Sequence, residues 1–107
     1  MAPTQNPILE VAFLNVRPGE QAAFEKAIRE AHPLIAATPG FLKLELRRCL
    51  ETANRYLLLV TWEKLEDHTV GFRQSDRYAQ WKQLLHHFYD PFPTVEHYGD
   101  LLDLGSA

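Results

Sequence analysis

The stretch Arg55-Tyr56-Leu57-Leu58-Leu59-Val60-Thr61-Trp62 is apolar on both parities, with Tyr56, Leu58, Val60 and Trp62 on one side and Leu57 and Leu59 on the other. A short strand of that kind is covered on both faces and belongs in the middle of a sheet. Ile8 to Val16 reads the same way, with Ile8, Ala12, Leu14 and Val16 on one parity and Leu9, Val11 and Phe13 on the other. Two more segments read as edges. Phe41 to Leu50 alternates Leu42, Leu44, Leu46 and Leu50 with Lys43, Glu45 and Arg47, and Thr94 to Tyr98 is short and polar.

Helical signals fill the gaps. Pro18-Gly19-Glu20 opens a helix, since proline suits a first turn whose N–H has no partner, and Phe24, Ala27, Ile28, Ala31 and Ile35 recur at helical spacing. Pro33 is expected to kink or shorten it, and Thr38-Pro39-Gly40 to end it. Glu51 to Asn54 is a hairpin-sized connection. A short helix with Leu65, Thr69 and Phe72 on one stripe follows Trp62. Ser75 is a candidate N-cap for a helix reaching about Tyr89, with Tyr78, Trp81, Leu85 and Phe88 inward, broken by Asp90-Pro91-Phe92-Pro93. The order βαββαβ, with one extra short helix, predicts an α+β, ferredoxin-like sandwich with the first and third strands central. Helices cover one face of such a sheet. The other face then exposes leucine and valine, so a homodimer packed sheet to sheet is expected.

At 107 residues this is one domain, read as residues 8–102 with flexible termini at 1–7 and 103–107. A net charge of −3 and scattered basic residues exclude the basic stripe of a nucleic-acid binder. No apolar run is long enough to span a bilayer, and Met1 to Pro7 lacks a signal-peptide pattern. The single Cys49 excludes an internal disulfide framework, and a cytoplasmic location is expected.

Several pieces together resemble the antibiotic biosynthesis monooxygenase domain: Val16-Arg17-Pro18-Gly19-Glu20 with Phe24; Thr38-Pro39-Gly40-Phe41; Tyr56 to Trp62 followed by Glu63-Lys64-Leu65-Glu66-Asp67; Phe72-Arg73-Gln74-Ser75; and Thr94-Val95-Glu96-His97-Tyr98. The resemblance covers roughly Ile8 to Tyr98. It implies a dimeric α+β barrel with a cleft between helices and sheet in each subunit. Catalytic members oxidise aromatic polyketide intermediates or quinols with molecular oxygen, several without metal or flavin, and others degrade haem. At the places where haem-degrading relatives carry Asn, Trp and His, this chain has Ala12, Phe72 and about Lys82, which argues against that chemistry. Phe72 also replaces a histidine frequent in the family.

Nine of the twelve aromatic residues and four of the five histidines fall between Tyr56 and Tyr98, a clustering that suggests a pocket for a flat, partly polar molecule. Substrate-binding candidates are Trp62 and Phe72 as walls, with Tyr56, Trp81, His68 and Phe88. Against each stands plain core packing, and for His68 a half-exposed position. Catalytic candidates are His86, His97 and Tyr78: histidine as a base that titrates near neutrality, tyrosine as a phenolic donor. For His86 the competing role is capping the helix C-terminus, and for His97 an edge or interface hydrogen bond. His86 and His87 point about a hundred degrees apart and cannot converge on one ion, so no metal site is expected, and His32 is expected at the surface. The resulting expectation is cofactor-independent oxidation of a small aromatic or quinol-like substrate. The alternatives are a non-catalytic ligand-binding or stress-response barrel and, third, haem binding through a histidine without turnover.

Overall fold

A computed structural model describes residues 6–105. Of the expected flexible ends, residues 1–5 and 106–107 lie outside the described residues. The chain forms β1 (Ile8–Asn15), α1 (Gln21–Ala36), β2 (Phe41–Arg48), β3 (Arg55–Trp62), a π-helical turn (Asp67–Phe72), α2 (Asp76–Leu85), a 3₁₀ turn (His86–Phe88) and β4 (Val95–Tyr98). The four strands make one antiparallel sheet in the order β2-β3-β1-β4. The two strands apolar on both faces are central, as their pattern demands.

Both helices pack on one face. Tyr56, Leu58, Val60 and Trp62 from β3 and Ala12, Leu14 and Val16 from the first strand segment are buried there against Phe24, Ile28, Ala31 and Ile35 of α1 and Trp81 and Leu85 of α2. The opposite face carries Leu9, Val11, Phe13, Leu57 and Leu59, with Phe13 58% exposed.

Several local expectations change. Helix α1 continues through Pro33 to Ala36. A proline this near the end removes one intrahelical donor, while burial of Ile35 and the bond from Ala37 N–H to Pro33 O (3.1 Å) hold the last turn. Strand β2 is not cleanly alternating. A bulge lies between Phe41, which pairs with Trp62, and Lys43, which pairs with Thr61. The extra residue turns Leu42 out, 49% exposed, and puts Phe41 beside Trp62 in the core layer. Leu50, beyond the strand, is 95% exposed rather than inward.

The segment after β3 is a π-helical turn rather than a regular short helix. Arg73 N–H reaches back five residues to His68 O (3.0 Å). This wider winding buries His68 and Phe72 and leaves Leu65 exposed. Ser75 does cap α2, its Oγ accepting from Tyr78 N–H at 3.4 Å. That helix stops at Leu85, short of Tyr89, and the 3₁₀ turn after it is tied to the end of the first strand segment. Arg17 donates to Phe88 O (2.8 Å) and through Nε to His87 O (3.1 Å), and Asp90 N–H donates to Asn15 O (2.8 Å). Gly40 is required at the turn into β2. Its φ is +91°, and a Cβ there would land on the Asp67 carboxylate, which accepts from Lys64 N–H.

Leucines with the same apparent pattern therefore differ in weight. Leu85→Ala, at a fully buried position, is expected to cost about 2–5 kcal/mol in urea unfolding. Leu50→Ala is expected to stay within about 0.5 kcal/mol of the parent. Equal losses at the two positions would contradict this placement of the core.

Candidate functional site

Between the sheet and α2 lies a cavity of about 240 Å³. Its floor is Glu10, Ala12 and Leu14 of β1 with Leu58 of β3; its walls come from the π-helical turn, α2 and the segment after it, and include Phe72, Tyr78, Trp81 and His86. Strand alternation sets the floor. Residues 10, 12 and 14 share the parity that faces the helices, so Glu10 points into the protein and is only 4% exposed.

Burying a carboxyl group among aromatic rings is costly unless it is hydrogen-bonded or neutral. Glu10 has one hydrogen-bond donor and one close polar neighbour. Trp62 Nε1–H donates to its Oε1 at 3.0 Å, and His68 Nε2 lies 3.4 Å from the same oxygen. The imidazole of His68 stacks on the Trp62 indole, ring centres 5.3 Å apart and 18° from parallel. Its other nitrogen, Nδ1, meets His97 Nε2 at 2.8 Å. Glu10, His68 and His97 thus lie in a row from the cavity floor to the edge strand β4. They stand in a row rather than around a common point.

Burial pushes the Glu10 carboxyl up to about 7, against the opposing pull of the Trp62 hydrogen bond and the Arg73 charge. Burial likewise drives His68 down to about 3, helped by the charge of Arg73 and by His97. The 3.4 Å approach of His68 to Glu10 is therefore not an ion pair at neutral pH, because the imidazole does not hold a second proton there. His97 is lowered by burial and then by Arg73, and His86 by burial and then by Lys82. Both are neutral at pH 7. The Tyr89 hydroxyl is raised by burial and by Glu10, so it stays protonated.

The residues expected at a site separate into three groups. His68, Phe72, Tyr78, Trp81 and His86 come together around the cavity, and His68 is fully buried, not half-exposed. Trp62 and His97 are behind it: Trp62 is not a wall but the indole that holds Glu10, and His97 is the far partner of His68. Tyr56 and Phe88 are elsewhere. Tyr56 borders a wider groove of about 700 Å³ between α1 and β2, where its hydroxyl donates to Glu25 (2.7 Å). Phe88 packs edge-on against Phe24 at 5.7 Å in the core. Parity put Tyr56 on the helix-facing side correctly, but α1, not α2, covers that part of the sheet. Glu10 is the residue the sequence reading missed. Its signal was available: one carboxylate at an inward position of a strand otherwise apolar on that parity.

A family model described as antibiotic biosynthesis monooxygenase matches residues 7–84. The uncharacterized protein YczJ of Bacillus subtilis is 50% identical over 94 residues, covering 88% of this chain and 99% of that protein. A Bordetella bronchiseptica protein bearing the same family name superposes with a TM-score of 0.86 at 36% identity, over 92% of this chain and 100% of that one. A variant of SnoaB, a cofactor-independent oxygenase from Streptomyces nogalater, superposes with a TM-score of 0.69 at 19% identity, over 92% and 95% of the two chains, and so shares the fold. No helix among the described residues is long and apolar enough to cross a membrane. The chain belongs to the antibiotic biosynthesis monooxygenase family.

Proposed function

We propose that this protein oxidises a small aromatic or quinol-like substrate with molecular oxygen, without a metal or organic cofactor, in the cavity above Glu10. The observation that carries this reading is a buried carboxyl group on the floor of an aromatic cavity, poised to titrate near neutrality. Cofactor-free oxygenation asks three things of a protein: a base, a dry site and a way to hold the ring. Glu10 fills the first role. A carboxylate raised to this range accepts a phenolic or activated C–H proton more readily than an ordinary one. Phe72 and Trp81 offer ring faces and edges, while Tyr78 and His86 offer polar groups to the substrate oxygens.

Once deprotonated, an electron-rich substrate gives an electron to oxygen, and the resulting radical pair combines at a ring carbon. Loss of water from the hydroperoxide converts a CH₂ group to a carbonyl. One oxygen atom enters the product, the other leaves as water, and all electrons come from the substrate. At about 240 Å³ the cavity falls below the roughly 300 Å³ where sites for drug-sized ligands begin. One or two fused rings suit it better than a four-ring polyketide. SnoaB is described as a cofactor-independent oxygenase, and the reading brings that chemistry to this chain.

We also propose that a second copy covers the open face of the sheet, because Leu9, Val11, Phe13, Leu57 and Leu59 form a contiguous apolar patch that the helices do not reach. Closed two-fold symmetry covers both patches at once. A cytosolic location fits the lone Cys49.

Oxygen uptake over a panel of hydroquinones, naphthols and polyphenols tests the activity. Uptake with at least one substrate is expected, and Glu10→Gln should lower its rate by about 10²–10⁴-fold. The base must be deprotonated to act, so the rate should rise with pH through about 7 and level off above it. Absence of uptake across the panel, with an aromatic ligand still held tightly, would favour a non-catalytic binder. Phe72→Ala should weaken binding of any such ligand, and unchanged binding would place the pocket elsewhere. Sedimentation at micromolar concentration is expected to show a dimer that Phe13→Glu dissociates. A well-folded lone subunit in the parent protein would remove the paired arrangement.

A further inference from the structure

We propose that the cavity takes an aromatic acid, a hydroxylated ring bearing a carboxylate, and that the guanidinium of Arg73 binds this carboxylate at the rim. The inference deepens the reading of the cavity above Glu10 as the place of an aromatic substrate, and it rests on that reading for the position of the ring.

Arg73 differs from the other arginines in keeping its donors free. Six of the seven arginines donate from the side chain to a group of this chain, as Arg48 does to Glu25 and Arg55 to Asn15. Among the described residues Arg73 makes no such bond, and no carboxylate lies within ion-pair distance of it. Its place is nonetheless fixed. Its backbone N–H closes the π-helical turn on His68 O (3.0 Å), so its side chain starts at the edge of the cavity and forms part of the lining. Its charge is felt by Glu10, His68 and His97, which puts it toward the β4 side of the site.

The charge of the lining is unbalanced. His68 and His86 are neutral at pH 7, and Glu10 changes state near neutrality, so Arg73 is the one permanently charged group among the described lining residues. A guanidinium has five N–H donors in a planar fork and no acceptor. The planar anion that matches this fork with two parallel N–H···O bonds is a carboxylate. The remaining lining then orients the molecule. Phe72, Trp81 and Phe92 offer rings to stack on or meet edge-on. A second negative charge beside ionised Glu10 is repelled, so the carboxylate belongs at the rim and the hydroxyl at the floor, where Glu10 takes its proton. At the rim Arg73 is exposed, and a carboxylate bound there keeps part of its hydration, which reduces the desolvation cost. The groove between α1 and β2 also carries arginines, but Arg48 is held on Glu25 and Arg47 on Glu45. An acid drawn to that groove would not respond to a change at Arg73.

Isothermal titration calorimetry at neutral pH, with a hydroxynaphthoic acid and its primary carboxamide, tests the recognition. The two compounds have nearly the same shape and differ by one charge. We expect the acid to bind the parent protein roughly tenfold more tightly than the amide at low ionic strength, and the preference to shrink as salt is added. Arg73→Gln should leave the amide unchanged and bring the acid to within about twofold of it. Arg73→Lys, which keeps the charge and loses the fork, should retain part of the preference. Phe72→Ala should weaken both compounds. Because Arg73 is exposed, its variants are expected to fold. Equal binding of acid and amide by the parent protein overturns the proposal. A preference that survives Arg73→Gln, or binding of neither compound, overturns it as well. The outcome is separable from that of the activity. A preference for the acid that depends on Arg73, without oxygen uptake, leaves the recognition standing and removes the oxidation. Uptake with neutral hydroquinones that Arg73→Gln does not slow, together with equal binding of acid and amide, does the reverse.

Discussion

One buried carboxyl group on a central strand is the constraint around which this molecule is arranged. Removing a carboxylate from water costs several kcal/mol even after relaxation, whereas a hydrogen bond to a charged group returns about 1.5–3 kcal/mol. A single indole N–H is therefore not enough to keep Glu10 ionised at the usual carboxylate pH, and desolvation prevails over both Trp62 and the more distant Arg73. The result is a group that changes state near neutrality in a site otherwise built from rings. Perturbed titration in a cleft, with a physical cause for the perturbation, marks functional sites more often than structural ones.

The fold was legible in the sequence because it depends on periodicity. Two strands apolar on both parities must be central, two more polar ones must be edges, and a helix with Phe24, Ile28, Ala31 and Ile35 on one stripe must lie on the sheet. The departures all involve features that periodicity does not encode. The bulge at Leu42 shifts β2 by one residue and changes which side chains face in. The π-helical turn has a wider winding than the regular helix that Leu65, Thr69 and Phe72 suggest, and it is this winding that buries His68. The segment after α2 is held in place by Arg17 and Asn15, seventy or more residues away along the chain.

The site was half legible. An aromatic and histidine cluster in the second half of the chain pointed to a cavity wall, and five of the residues it suggested do surround one. It could not separate Tyr56 and Phe88, which pack against α1, from Tyr78 and Trp81, which α2 turns toward the cavity, because all four sit at inward positions of their own elements. Glu10 escaped notice for a different reason. A lone acidic residue in an apolar strand looks like an interruption of the pattern until its partners are known, and those partners, Trp62 and His68, are more than fifty residues downstream.

Family membership accounts for the frame more than for the chemistry, since one fold carries many functions. Yet the frame limits how this site can be built. Glu10 and His97 are register partners across β1 and β4, so backbone pairing alone fixes their separation, and Glu10 lies opposite Val60 on the other side. Cross-strand partners sit about 4.5–5.5 Å apart at Cβ, and with both side chains facing the helices there is room for one flat group between their tips. The π-helical turn delivers His68 to that place, and the Trp62 ring beneath it keeps the imidazole from rotating. Three elements, each fixed by its own backbone hydrogen bonds, thus hold the three polar side chains in a row. That rigidity makes the row a property of the fold's register, and a one-residue slip of β4 would break it by turning His97 to the opposite face.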